Sequence, residues 1–217
     1  AKFTEGAEPG HRETVTLTDY DPLGEEKVVA AAMYASSDLP DDRLQSLAHT
    51  MSPDERDAVL SAYVGERGNR RHKPGRAFER TGYRFDVLCD YGAFRDLQRH
   101  RLLTLEWQRL SPEHGFDTAD VIADAGMTEE WNRVMEDSAA TWATLSEHAG
   151  EDVAQYSVAM AYRIRFVMQM SAREAMHLIE LRSSPQGHPT YRRVAQQMHD
   201  LIEKNAGHRA SARTMTD

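Results

Sequence analysis

One stretch near the middle of the chain constrains the fold most, because apolar and cationic residues are closely interleaved in it. Residues 91–110 hold strong helix formers, with no proline and no glycine in their interior, so they predict one helix. At about 100° per residue, the consecutive residues Arg99, His100 and Arg101 span about 200° of the helix circumference. At least one of them must therefore face packed residues. A buried cation needs an anionic partner, either a carboxylate of the protein or a phosphate of a ligand.

The length and charge of the chain limit its class. The 217 residues divide into a polar linker or arm at 1–12, one domain at 13–206 and a frayed tail at 207–217. A net charge of -9 argues against nucleic-acid binding in general, although it allows a local basic pocket. No apolar run reaches the roughly 18 residues of a membrane span, and the lone Cys89 allows no intrachain disulfide. We expect a cytoplasmic protein; its start at Ala1 fits a processed chain or a piece of a longer one.

Hydrophobic periodicity predicts several helices and a few short strands. Alternating residues predict strands near 15–18, 83–89 and 162–168. Helices are predicted over 25–36, after Pro40, from Ser52 with a capping box to Glu55, and over 128–149, 151–160, 171–182 and 190–205. The helix at 128–149 is expected to bury its apolar positions in the core, and these are Trp131, Val134, Met135, Trp142 and Leu145.

Two groups of basic residues remain after common motifs are excluded. The chain has no nucleophile elbow, P-loop or Gly-x-Gly-x-x-Gly, which removes the main support for serine hydrolases, nucleotide kinases and Rossmann enzymes. Glu174 and His177 have the spacing of one di-iron ligand pair, but such sites need two pairs, so we expect no metal. The basic groups are Arg95, Arg99, His100 and Arg101 in the first, and Arg173, His177, Arg182 and Arg192 in the second. Because guanidinium groups suit phosphates and dinucleotides, we expect the fold to bring both groups to one anionic ligand.

A third basic segment, residues 67–76, is punctuated by glycines and has the sequence Arg-Gly-Asn-Arg-Arg-His-Lys-Pro-Gly-Arg. One interpretation is a solvated surface loop. The other is a lid that faces a phosphate. The sequence leaves both open.

The ordered motifs resemble those of the flavin-dependent thymidylate synthase family. The signature of that family is Arg-His-Arg, seven residues and then Ser, and residues 99–101 match its first half. Residues 78–79 are similar to the start of the Phe-Glu-His that precedes the strand, with Arg80 in place of the histidine. Residues 171–182 are similar to the block that runs from Asn-x-Arg to Leu-x-Leu-Arg. The resemblance covers the chain roughly from Val15 to Ile202.

The sequence departs from the family pattern at several positions. The position of the signature serine holds Arg109, and Ser111 falls where the family has an arginine two places further on. After Arg182, the expected Ala-Gln is replaced by Gly187-His188. In the family these positions serve mainly to bind deoxyuridylate, whereas Arg-His-Arg faces the flavin.

The resemblance implies an α+β fold, with a small antiparallel sheet packed with several helices. It implies FAD as cofactor, methylation of deoxyuridylate to thymidylate with methylenetetrahydrofolate and NADPH, and a homotetramer with sites between subunits. The implied flavin-binding residues are Arg99, His100, Arg101, Arg173 and His177, and the implied substrate-binding residues are Arg95, Arg182 and Ser111. The alternative is a catalytically silent domain of the same fold that serves as a structural or flavin-binding partner of an intact copy.

Overall fold

The computed structural model describes residues 3, 4, 6, 7 and 13–215, so the expected arm at 1–12 lies largely outside the described residues. Its strands are β1 Val15–Tyr20, β2 Gly82–Asp90, β3 Leu103–Trp107 and β4 Arg163–Ser171. Its helices are α1 Gly24–Tyr34, α2 Asp41–Thr50, α3 Pro53–Val64, α4 Tyr91–Leu97, α5 Asp120–Asp124, α6 Thr128–Ala149, α7 Glu151–Ala154, α8 Ala172–Arg182, α9 Pro189–Lys204 and α10 Arg209–Arg213. Short 3-10 turns occupy Arg76–Arg80, Pro112–His114 and Gln155–Ser157.

The four strands form one antiparallel sheet in the order β1-β2-β4-β3. Strand β2 alternates as the sequence predicts, because its apolar side chains Tyr83, Phe85, Val87 and Cys89 are all buried. Helices α4, α8 and α9 pack on the sheet, while α1 packs on α2, α3 and the 3-10 turn at Arg76–Arg80. The α+β class and the small antiparallel sheet are thus confirmed. No helix in the described part of the chain is long and apolar enough to cross a membrane.

The other face of the sheet carries paired charges. Arg165 on β4 donates to Asp86 on β2 at 2.8 Å, and Arg163 pairs with Asp117. The arginines on this face of β4 are therefore balanced by acids of neighbouring segments.

The helix predicted over residues 91–110 is wrong in its second half. Helix α4 ends at Leu97, and the chain then turns at Gln98 and enters β3, which pairs with β4 along Leu103↔Met170 to Trp107↔Phe166. Residues 103–107 also alternate apolar and polar, a pattern that suits a strand as well as a helix over so short a run. Pairing with an existing strand decided between the two.

Two other expectations need correction. Helix α6 forms as predicted, but of its five expected core positions only Met135 is fully buried, and Val134 is 51% exposed. The reason is that α6 packs on α5, α7 and the turn at 155–157, away from the sheet. The frayed tail is also wrong for residues 207–215, because α10 buries Ala210, Ser211 and Ala212, and Ser211 N–H donates to Glu25 at 2.9 Å.

Candidate active site

A pocket of about 310 Å³ opens where the α4–β3 turn meets α8. Six of its lining residues are Arg99, His100, Arg101, Glu174, His177 and Arg182. Part of each expected basic group thus meets at this pocket, with Arg99, His100 and Arg101 placed by the turn after α4, and His177 and Arg182 placed by α8. Arg192 does not line the pocket; it lies on α9 and donates to the Ser183 carbonyl at 3.2 Å. The turn creates this arrangement, because a continuous helix would have carried the residues after His100 away from α8.

His100 is the buried member of the Arg-His-Arg triplet, and both its ring nitrogens have partners. Its Nδ1 lies 3.0 Å from Glu174 Oε1, and its Nε2 accepts from Arg182 Nε at 3.2 Å. Because a guanidinium only donates, Nε2 must be unprotonated, and the proton sits on Nδ1, where the carboxylate accepts it. Arg182 is itself fixed by a 2.6 Å hydrogen bond to the Asp96 carbonyl.

The start of α8 places Glu174 beside His100. The Ser-Ala-Arg-Glu sequence at 171–174 has the pattern of a capping box, but only one half of it forms, in which Ser171 caps the helix by accepting from Glu174 N–H at 3.3 Å. The Glu174 carboxylate points to His100 instead of back to Ser171. Glu174 was not predicted as a site residue, because the capping pattern already accounts for a glutamate at this position. Its three-residue spacing from His177 was the only sequence signal for a role in the site.

His177 stands next to this buried pair, with its ring centroid 5.6 Å from that of His100. Burial is the main cause that lowers the pKa of His177, and the charges of Lys73 and Arg70 lower it further, against the opposite effect of Glu174. We therefore expect a neutral imidazole at neutral pH.

The two arginines of the triplet differ in their partners. Arg99 is largely exposed and lies 3.6 Å from Asp96. Arg101 lines the pocket and has no ion pair or hydrogen bond with any described residue. Arg101 is exposed to solvent at the pocket, so its guanidinium is open to an anionic ligand and is not neutralised by an acid of the described residues.

The donor atoms of His100, Glu174 and His177 lie within 4.8 Å of one another, a spacing that can hold a metal ion. Both His100 nitrogens are already engaged, however, and a metal would have to displace Glu174 or Arg182 from one of them. The pocket also carries the positive charges of Lys73 and Arg101. This donor set favours an anion over a metal cation.

Arg173 lines a neighbouring cleft, where its guanidinium is bonded within the protein. Its Nε donates to the Pro74 carbonyl at 3.0 Å, and its Nη1 lies 3.2 Å from Glu79. Both His177 and Glu174 line this cleft as well, so the two clefts adjoin. The structure thus places Arg173 near the site, with its donors partly occupied.

Arg95 and Ser111 do not line either of these clefts. Arg95 lies over the Tyr91 ring at 5.9 Å and lines a separate groove, and Ser111 caps the 3-10 turn at Pro112–His114. Arg109, at the position of the signature serine, pairs with Glu151 at 2.5 Å. Within one described chain, the predicted substrate residues are therefore divided, with Arg182 in the pocket and the other two outside it.

Comparisons with known proteins bear on this arrangement. The model of the thymidylate synthase complementing protein family matches residues 16–206. The chain belongs to this family. The resemblance noted in the sequence is thereby confirmed across nearly the whole of the domain.

Relatives within this thymidylate synthase complementing family are much longer than the chain. A UPF0159 protein of Chlamydia pneumoniae is 38% identical over 182 residues, covering 84% of this chain and 34% of that protein. UPF0159 protein Ta1429 of Thermoplasma acidophilum is 38% identical over 204 residues, covering 93% of this chain and 40% of that protein. The chain thus spans about a third to two fifths of the length of these relatives.

A solved structure shares the fold. The UMP/dUMP methylase PolB from Streptomyces cacaoi, bound with 5-Br dUMP, superposes with a TM-score of 0.67 at 18% identity, covering 91% of this chain and 93% of that one. At this identity the likeness establishes the fold alone.

Proposed function

We propose that the chain is a FAD-dependent thymidylate synthase-like protein, which methylates deoxyuridylate to thymidylate with methylenetetrahydrofolate and NADPH. One observation carries the proposal: Arg101, in the Arg-His-Arg triplet, faces a pocket without any acidic partner among the described residues. Family membership and the UMP/dUMP methylase named for the similar structure support the same chemistry.

The residues present fit FAD by the chemistry of their donors. Arg101 supplies an unneutralised guanidinium, which suits a diphosphate. Arg99 supplies a second guanidinium, whose Nη1 lies 3.6 Å from the Asp96 carboxylate. His100 and His177 add two imidazole rings at the same pocket, and both ring nitrogens of His100 are engaged by Glu174 and Arg182. When bound, FAD would supply the hydride carrier between the reduced nicotinamide and the transferred carbon.

The residues of this chain would then bind and orient. Arg99 and Arg101 hold the cofactor's phosphates, and Glu174 fixes the tautomer and the plane of His100 through the 3.0 Å hydrogen bond. Arg182 positions His100 from the other side, and its place at the pocket rim suits contact with the pyrimidine nucleotide.

We propose that Arg95 and Ser111 act in a neighbouring copy of the chain, within a homotetramer whose sites lie between subunits. Both residues lie away from the pocket of their own chain, and Arg95 lines a groove that also contains the exposed Trp107 and Tyr156. Large exposed aromatic residues of this kind are typical of protein interfaces. Sedimentation velocity at several protein concentrations measures the state directly, and a monomer would overturn this assignment.

A second function is favoured by Arg109. At the position of the signature serine it forms ion pairs with Glu151 and Asp152, so this position offers no hydroxyl to a substrate. This observation supports a catalytically silent domain that binds flavin or serves as a structural partner of an intact copy.

The two functions are separated by two measurements on the purified chain. An absorbance spectrum of the protein, before addition of FAD and again after addition of FAD and removal of the unbound FAD by gel filtration, reports flavin binding. Incubation with FAD, NADPH, methylenetetrahydrofolate and deoxyuridylate reports thymidylate formation. Flavin bands with turnover support the enzyme, whereas flavin bands without turnover support the silent partner. Absence of flavin bands after FAD addition would overturn both flavin-binding versions. The variant Arg101→Gln should lose the bands, and the matched Arg80→Gln, on an exposed pair distant in sequence, should keep them.

A further inference from the structure

The basic segment at 65–76, called the basic loop below, is fixed at its start by a buried ion pair. Arg67 donates two hydrogen bonds to Glu180 on α8, at 2.5 and 2.7 Å, and the two side chains are only 4% and 1% exposed. The same guanidinium donates to the carbonyls of His72 within the loop and of Thr214 near the chain end. One side chain thus joins the loop, α8 and the C-terminal segment.

The far end of the basic loop is fixed as well. The buried Pro74 accepts from Arg173 Nε at 3.0 Å, and Ala77 N–H donates to the Tyr63 hydroxyl at 3.1 Å. The basic loop is thus bonded to the domain at both ends, while residues 68–73 between the anchors are exposed to solvent. It forms an anchored, solvent-exposed wall beside α8.

Between these two anchors lie Arg70 and Lys73, whose charges are not neutralised. Neither makes an ion pair or a side-chain hydrogen bond to another described residue, and both line the cleft that also contains His177. Lys73 in addition lines the neighbouring pocket, together with Arg101. Adjoining clefts are therefore lined by three cations that lack acidic partners among the described residues. Two of them come from the loop and one from the α4–β3 turn.

We propose that Arg70 and Lys73 are a phosphate-binding wall of this site, held in place by the Arg67–Glu180 ion pair. The ligand class is a phosphate ester, and the three cations without acidic partners among the described residues suit the charge of a diphosphate better than that of a single carboxylate. The assignment of this diphosphate to FAD rests on the function proposed above. The phosphate of deoxyuridylate is the other source of the same chemistry.

The test is isothermal titration of the purified chain with inorganic pyrophosphate, FAD, riboflavin and deoxyuridylate. We compare the wild type with the double variant Arg70→Gln/Lys73→Gln and with Arg71→Gln, which removes an exposed cation of the same loop that lines neither cleft. Loss of two charge-assisted contacts predicts roughly tenfold or greater weakening of pyrophosphate and FAD binding in the double variant. Riboflavin, which lacks phosphate, should bind both proteins equally, and Arg71→Gln should resemble the wild type.

The outcomes distinguish this inference from the proposed function. The proposed phosphate-binding wall would be overturned if the double variant bound both pyrophosphate and FAD as tightly as the wild type does. If pyrophosphate binding depends on Arg70 and Lys73 while FAD does not bind at all, the wall stands and the flavin function fails. A selective loss of deoxyuridylate binding assigns the wall to the nucleotide phosphate. Thermal melting of the double variant should match the wild type, since neither side chain has a partner to lose.

Discussion

Removal of the Arg67 guanidinium should destabilise the whole domain, because a buried carboxylate then loses the two charge-assisted hydrogen bonds that Arg67 donates to it. In Arg67→Met, the Glu180 side chain, 1% exposed, loses both of its hydrogen bonds from Arg67. Breaking one partner of a buried pair typically costs about 3–5 kcal/mol. For a domain of this size each kcal/mol lowers Tm by roughly 2–4 °C, so we expect a fall of roughly 6–20 °C.

The assay is urea unfolding followed by circular dichroism, at constant protein concentration. The double variant Arg67→Met/Glu180→Leu should recover much of the lost free energy of unfolding, since no buried charge is then left unpaired. The control is Arg80→Ala, which breaks an exposed pair to Asp41 at 3.4 Å and should cost about 0–1 kcal/mol. The reasoning is refuted if Arg67→Met is no less stable than this control, or if the double variant is as unstable as the sum of the two single variants.

Three further predictions concern other parts of the chain. Burial lowers the pKa of His208, whose Nδ1 lies 2.8 Å from the Tyr83 hydroxyl. The neutral ring therefore stabilises the fold above about pH 6.5, and this contribution is lost as the pH falls toward the lowered pKa. The slope of unfolding free energy between pH 7 and 5.5 should flatten in His208→Gln, and an unchanged slope would contradict this cause. Arg101→Ala should leave the Tm of the apo protein nearly unchanged but abolish stabilisation by FAD; an equal loss of Tm with and without FAD would argue for a structural role. Ser52→Ala removes the side-chain half of the α3 capping box, in which Ser52 Oγ accepts from Glu55 N–H, and should cost about 1 kcal/mol in chemical unfolding, a loss that Ser52→Thr should largely restore.

Local sequence patterns correctly predicted the elements whose stabilising contacts lie within the same segment of the chain. The capping box at Ser52 forms with both of its hydrogen bonds, and β2 buries every second side chain as its sequence alternates. In both cases the stabilising partners lie within a few residues of each other or on one continuous face. The local sequence pattern is therefore enough to predict the element.

The predictions failed where a distant segment provides the partner. Residues 103–107 suit a helix or a strand, and only their pairing with β4 decides for the strand. The carboxylate of Glu174 can reach back to its helix start or across to His100, and the position of the α4–β3 turn decides for His100. Burial of α6 likewise depends on which surface it meets, and it meets α5, α7 and the turn at 155–157 in place of the sheet.

The sequence by itself determined the family, the helix starts, the principal strands and the presence of more cations in two separate basic groups than their local acids neutralise. Tertiary structure decided which of these cations remain without a partner. Arg67 forms an ion pair with Glu180, and Arg173 donates a hydrogen bond to the Pro74 carbonyl. In contrast, Arg70, Lys73 and Arg101 face the clefts. The physical reason is that neutralisation of a charge depends on distances of a few ångströms between residues far apart in the chain, and no local pattern encodes those distances.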